Sequence, residues 1–159
     1  MPETVIICLH QPALELAEKV ASLCDGEVHG LQSRVKTIPK TFEKTKEHLQ
    51  DLFQKGHPLV GICSSGILIR SLADVLSDKH TEPPVLAVAE DGSCVIPLLG
   101  GHHGANDLAR KIASGLGVVA AVTTAGDLKF GIALDQPPED LTLANPEDCL
   151  LYTSDAADE

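Results

Sequence analysis

Short apolar runs alternate with amphipathic stretches along most of this chain, and that alternation limits its fold more than any other feature. Residues 4–9, TVIICL, read as a strand buried on both sides. Residues 12–23 then place Leu14, Leu16, Ala17, Val20 and Leu23 at helical spacing, with Pro12 near the helix start. A second strand is expected over 27–31, past an Asp25–Gly26 turn. Residues 41–56 set Leu49, Leu52 and Phe53 on one helical face, and Gly56 stands where a helix-ending glycine belongs. Strands at 58–63 and 83–89 bracket another helix, ILIRSLADVLSDK. The EDGS turn at 90–93 folds the fourth strand onto a fifth, CVIPLL, as a hairpin. A helix over 106–116 and a last strand over 118–123 follow. Strands alternating with helices need crossover connections. The expected fold is therefore α/β and Rossmann-like: a largely parallel sheet, helices on both faces, one β-hairpin.

The chain has 159 residues, 43% of them hydrophobic, which suits one compact domain or two small lobes sharing a core. Aromatics make up 3% and Trp is missing, so Val, Leu, Ile and Ala must fill that core. No apolar run approaches the roughly 20 residues of a membrane span. The start, MPETVIICLHQP, has no basic region ahead of its apolar run, so no signal peptide is read and a cytoplasmic location is expected, with no membrane partner. Cys8, Cys24, Cys63, Cys94 and Cys149 are odd in number and form no CxxC pair, which argues for small buried residues over disulfides or zinc. A formal net charge of -11 disfavours nucleic acid as a partner. It leaves room for an anionic small molecule, because backbone amides can bind one locally within a negative field.

Two turns between strand and helix carry chemistry. One is Cys63, Ser64, Ser65 and Gly66; the other runs from Gly100 and Gly101 through His102, His103 and Gly104 to Asn106. Ligands of open α/β sheets bind beyond the carboxyl ends of the strands. Both turns, with Thr123 and Thr124 of TTAGD, are accordingly expected on one edge of one sheet, sharing a site. Ser64 and Ser65 read either as helix caps alone or as caps that also touch a ligand. The His102–His103 pair reads either as a surface turn or as a ligand contact. Adjacent histidines diverge, so no shared metal is expected. Asn106 is a candidate N-cap, Asp107 suits the helix dipole, and Gly101 is expected at positive φ. GK[ST], GxGxxG after the first strand and GxSxG are all missing, which sets aside a P-loop, a dinucleotide fingerprint and a nucleophile elbow.

DGSCVIPLLGGHHGANDLARKIASGLG, then AVTTAGD, resembles the N-terminal region of the cobalt-precorrin-5A hydrolases, the CbiG family of cobalamin biosynthesis. SSGILIRSLADVLSDKHTEPPVLAVAEDGS resembles the same family, and the likeness covers roughly residues 4–148. It implies opening of a δ-lactone on an anionic tetrapyrrole, a cobalt-precorrin, with release of acetaldehyde. His102 matches the family's histidine and is implied as catalytic, a general base. Ser64, Ser65, Gly66, Arg70, Gly100, Gly101, His103, Gly104, Asn106, Thr123 and Thr124 are the implied substrate contacts. Cobalt would arrive with the substrate, leaving this segment without a cofactor or metal site of its own.

The likeness has a departure. The stand-alone hydrolases carry a further glycine before Ala-Asn and an apolar residue at the position of His103. GGHHGAND is more like the form fused ahead of a precorrin-3B C(17)-methyltransferase, and IALDQPPEDLTLANPED resembles the linker into that enzyme. The alternative is then a non-catalytic corrinoid-binding module fused to a C-terminal methyltransferase domain, with S-adenosylmethionine entering only with that domain. CLLYTSDAADE, residues 149–159, resembles a translated sequencing adapter, so the family region is expected over 1–148 and an artefactual tail after it.

Overall fold

A computed structural model of the chain describes residues 2–124. The first of two units spans Met1–Ala121; the second, Val122–Glu159, enters the described residues only at 122–124. Asp127, the 132–148 linker and the 149–159 tail lie outside them.

The first unit is a six-stranded sheet in the order β3-β2-β1-β4-β5-β6. Its strands are β1 (Val5–Cys8), β2 (Glu27–Leu31), β3 (Thr41–Phe42), β4 (Leu59–Ile62), β5 (Val85–Val88) and β6 (Val95–Leu99). All neighbours pair in parallel except β5 and β6, which pair antiparallel. The helices are α1 (Leu14–Cys24), α2 (Thr45–Gln54), α3 (Ser65–Leu72) and α4 (Ala105–Leu116). The α/β fold, the hairpin and the helices on both faces are as the sequence predicts.

Strand alternation builds two cores. Ile6, Cys8, Val60, Ile62, Leu86 and Val88 face α1 and α4, against Ala17, Val20, Ala109 and Ile112. Val5, Ile7, Leu59, Val85 and Ala87 face α2 and α3, against Leu49, Phe53, Leu68 and Leu72. Central strands buried on both faces must read as continuous apolar runs, and these do. Each fully buried Leu or Ile contributes about 1.5–3 kcal/mol by leaving water. Cys8, Cys24 and Cys63 are buried free thiols, consistent with small core residues; Cys94 is half-buried.

A polar seam interrupts the α2 face. His29 Nδ1 lies 2.9 Å from His48 Nε2, and His29 Nε2 lies 3.2 Å from Glu27 Oε2. Phe42 stacks on the His48 ring at a centroid distance of 4.5 Å. Burial, followed by the neighbouring His29, pushes the His48 pKa below its ordinary value.

The structure differs from the sequence reading at several elements. Thr41–Phe42 is a two-residue edge strand preceding α2 where a helix start was expected. Pro12 sits in a 3-10 turn, Gln11–Ala13, that leads into α1. The α3 helix ends at Leu72 and tightens into a 3-10 turn, Ala73–Val75. The expected strand over 118–123 is a single parallel bridge, Val95 to Ala120. Ala121 N donates to Val95 O at 2.8 Å. The next bond of such a ladder would come from residue 97, which is Pro and has no N–H to give.

Candidate functional site

The hairpin decides where the chemistry lies. In the register of β5 and β6, Val88 pairs with Val95 and Val85 with Leu99. The chain therefore leaves β6 beside the start of β5. The Ser64–Gly66 turn follows the carboxyl end of β4, whereas the Gly100–Asn106 turn lies at the amino edge of the parallel strands. The expectation of one shared edge is overturned. Strands of four residues separate the two turns by about 13 Å, so no single small group touches both. Thr123 and Thr124 belong to the second unit.

At the amino edge, Gly100 adopts φ +73 and Gly104 φ +90, with a 3-10 turn, Gly101–His103, between them. The positive φ expected at Gly101 falls at its neighbours instead, because the tight turn itself is right-handed. A Cβ on Gly100 would stand 2.7 Å from the Pro83 carbonyl and from Pro84 N, so this glycine answers a close backbone approach as well as its dihedral. Gly100 O accepts from His103 N at 2.9 Å and from Ala105 N at 3.1 Å. Gly104, not Asn106, is the N-cap of α4; Asn106 lies inside the helix and is buried. Asp107 is exposed in the first turn and pairs with Arg110 at 3.1 Å. His103 is exposed, and the side chain of His102 lies outside the described part. Burial pushes the nearby Glu82 carboxyl above its ordinary pKa, Asp78 pushes the same way, and His103 opposes both.

At the carboxyl edge, Ser64 is the N-cap of α3 but makes no side-chain cap bond, and it is exposed. The Arg70 guanidinium folds back along α3. Its nitrogens stand 3.0 and 3.2 Å from where a Cβ of Gly66 would be. Burial raises the Cys63 thiol to about 11, with the Glu90 charge adding to it.

Sequence reasoning missed the residues that join this turn. His10, just past β1, has Nε2 3.9 Å from Glu90 Oε1. Arg34, past β2, has Nη1 3.5 Å from His10 Nδ1. Gln11 Oε1 accepts from Lys36 N at 2.9 Å, and its Nε2 donates to Thr37 Oγ1 at 3.1 Å, which ties the Arg34 loop to the start of α1. The available signal was position: each of these residues follows the carboxyl end of a parallel strand. The strand order reverses between β1 and β4, the switch point at which open α/β sheets hold ligands. Among the described residues no group of three His, Cys, Asp or Glu side chains is placed to hold a metal ion.

Comparison with known proteins bears on both edges. A cobalt-precorrin-5A hydrolase from Priestia megaterium is 39% identical over 88 residues, covering 55% of this chain and 24% of that protein. One from Salmonella typhimurium is 44% identical over 78 residues, covering 48% of this chain and 22% of that protein. The chain thus spans about a quarter of the length of these relatives. A crystal structure of a cobalamin biosynthesis protein G homolog from Sulfolobus solfataricus shares the fold, with a TM-score of 0.57 at 18% identity, over 96% of this chain and 45% of that one. The family described as cobalamin synthesis G N-terminal matches residues 47–127, just over half of the sequence. This chain belongs to that family.

Proposed function

We propose that the chain is the amino-terminal part of a cobalt-precorrin-5A hydrolase, which opens the δ-lactone of an anionic cobalt-corrinoid precursor and releases acetaldehyde. The observation that carries this reading is the 39% and 44% identity to two cobalt-precorrin-5A hydrolases. Lactone opening needs a water activated by a base that titrates near neutrality, a task that suits histidine. It also needs donors for the developing oxyanion, for which a helix amino end is suited. His102 is the general base in this reading, with Gly100, Gly101, His103, Gly104 and Asn106 around the substrate. Thr123 and Thr124, in the second unit, are proposed as substrate contacts in their own right. Ser64, Ser65, Gly66 and Arg70 make a separate contact at the opposite edge.

Cobalt belongs to the substrate, and the segment uses no cofactor of its own. A cytoplasmic location is part of the same proposal; no described helix is long and apolar enough to cross a membrane.

The test is acetaldehyde release from cobalt-precorrin-5A by the full-length protein that contains this chain. His102→Ala should lower the rate at least a hundredfold and leave the unfolding midpoint within a few degrees, since a turn histidine buries little apolar surface. His103→Ala should do less. A fully active His102→Ala enzyme removes the histidine from the mechanism. A parent that binds the corrinoid without releasing acetaldehyde would make this a docking module.

A further inference from the structure

The sequence holds 23 acidic residues and only three arginines, Arg34, Arg70 and Arg110. Arg110 pairs with Asp107. Among the described residues neither Arg34 nor Arg70 pairs with a carboxylate, although lysines elsewhere do so repeatedly. Both lie at the carboxyl edge. Arg34 reaches across the end of β1 to His10, and Arg70 folds back over Gly66 at the end of β4. These two strands are adjacent, at the point where the strand order reverses. Two guanidiniums at the ends of neighbouring strands, neither paired with a carboxylate, in a strongly acidic chain, leave their planar forks for carboxylates from outside.

Glu90 completes the pattern. Glu90 follows β5, and its carboxylate stands 3.9 Å from His10, which follows β1; its charge helps to raise the Cys8 and Cys63 thiols. An anion is repelled from that side and drawn to the arginine sides. The His10 ring lies between Arg34 and Glu90, with Nδ1 toward the guanidinium and Nε2 toward the carboxylate.

We propose that the carboxyl edge between β1 and β4 is a binding site for a ligand bearing carboxylates, anchored by Arg34 and Arg70 and oriented by His10 and Glu90. The site is distinct from the Gly100–Asn106 turn, and only the identity of its natural ligand rests on the hydrolase reading.

The probe is citrate, titrated into the 159-residue chain and followed by the ring proton resonances of His10, assigned with His10→Gln. Citrate should shift the His10 resonances. Arg34→Gln and Arg70→Gln should each weaken binding about tenfold, and Arg110→Gln should leave it unchanged. Glu90→Gln should tighten binding a few-fold by removing a like charge. All four side chains are partly or fully exposed, so these variants should unfold with the parent's midpoint. The proposal is overturned if His10 does not respond, if Arg34→Gln and Arg70→Gln bind as the parent does, or if Arg110→Gln weakens binding equally, which would mark diffuse attraction. Failure of the hydrolase reading shows separately, as absent acetaldehyde release from the full-length protein.

Discussion

At the carboxyl edge of the sheet, successive parallel strands end in loops that deliver Arg34, His10, Ser64 and Glu90. At the amino edge, the chain brings together Glu82, the Pro83–Pro84 backbone and the turn from Gly100 to Gly104. Polar side chains from distant parts of the sequence make up the first. Glycine dihedrals and main-chain hydrogen bonds shape the second. A substitution at the amino edge should therefore act through backbone strain, and one at the carboxyl edge through lost recognition with little loss of stability.

The largest expected effect is at Gly100. Replacing it with Val combines a left-handed dihedral with a Cβ set 2.7 Å from main-chain atoms that cannot step aside. A cost of about 3 kcal/mol or more is expected, read as a fall in the urea midpoint or as failure to fold. Gly104→Ala meets the same dihedral penalty but open space, and should cost about 1–2 kcal/mol. Equal losses at the two glycines would contradict the close approach to Pro83.

Acid should separate two further regions by sign. His48 titrates below its ordinary 6.5 in the fold. As pH falls through 6.5 the unfolded chain takes up that proton first, so stability declines until the folded pKa is passed. Glu82 titrates above its ordinary 4.5. There the folded chain binds the proton first, so acidification through its folded pKa adds stability, levelling off below 4.5. Urea unfolding across this range should show a shallower acid loss for His48→Gln and a missing gain for Glu82→Gln. A His48→Gln profile identical to the parent's would remove the histidine seam from the account.

The smallest effect is expected at Ser64. Removing a cap hydroxyl ordinarily costs about 1 kcal/mol. Here the hydroxyl makes no cap bond, so Ser64→Ala should stay within about 0.5 kcal/mol of the parent in urea unfolding. A full-sized loss would mean that the serine serves the helix.

The strands and helices were legible because burial on both faces leaves continuous apolar runs, as in TVIICL, and burial on one side leaves the helical spacing of Leu49, Leu52 and Phe53. The hairpin was legible in EDGS. Its consequence lies in the pairing register and not in any motif: a strand that a hairpin has reversed delivers its next turn to the other edge, which sets the two histidines away from Ser64. Thr41–Phe42 was too short to show a period. His10, Arg34 and Glu90 each look ordinary in the sequence, and only the β2-β1-β4-β5 neighbourhood brings them together.

Pro97 does more than end one ladder. An exposed strand edge is a template on which another chain can add, and natural sheets blunt such edges with proline or with very short strands. This sheet does both: Pro97 interrupts the donor row of β6 at one margin, and β3 is two residues long at the other. Lateral growth into a continuous intermolecular sheet is thereby disfavoured.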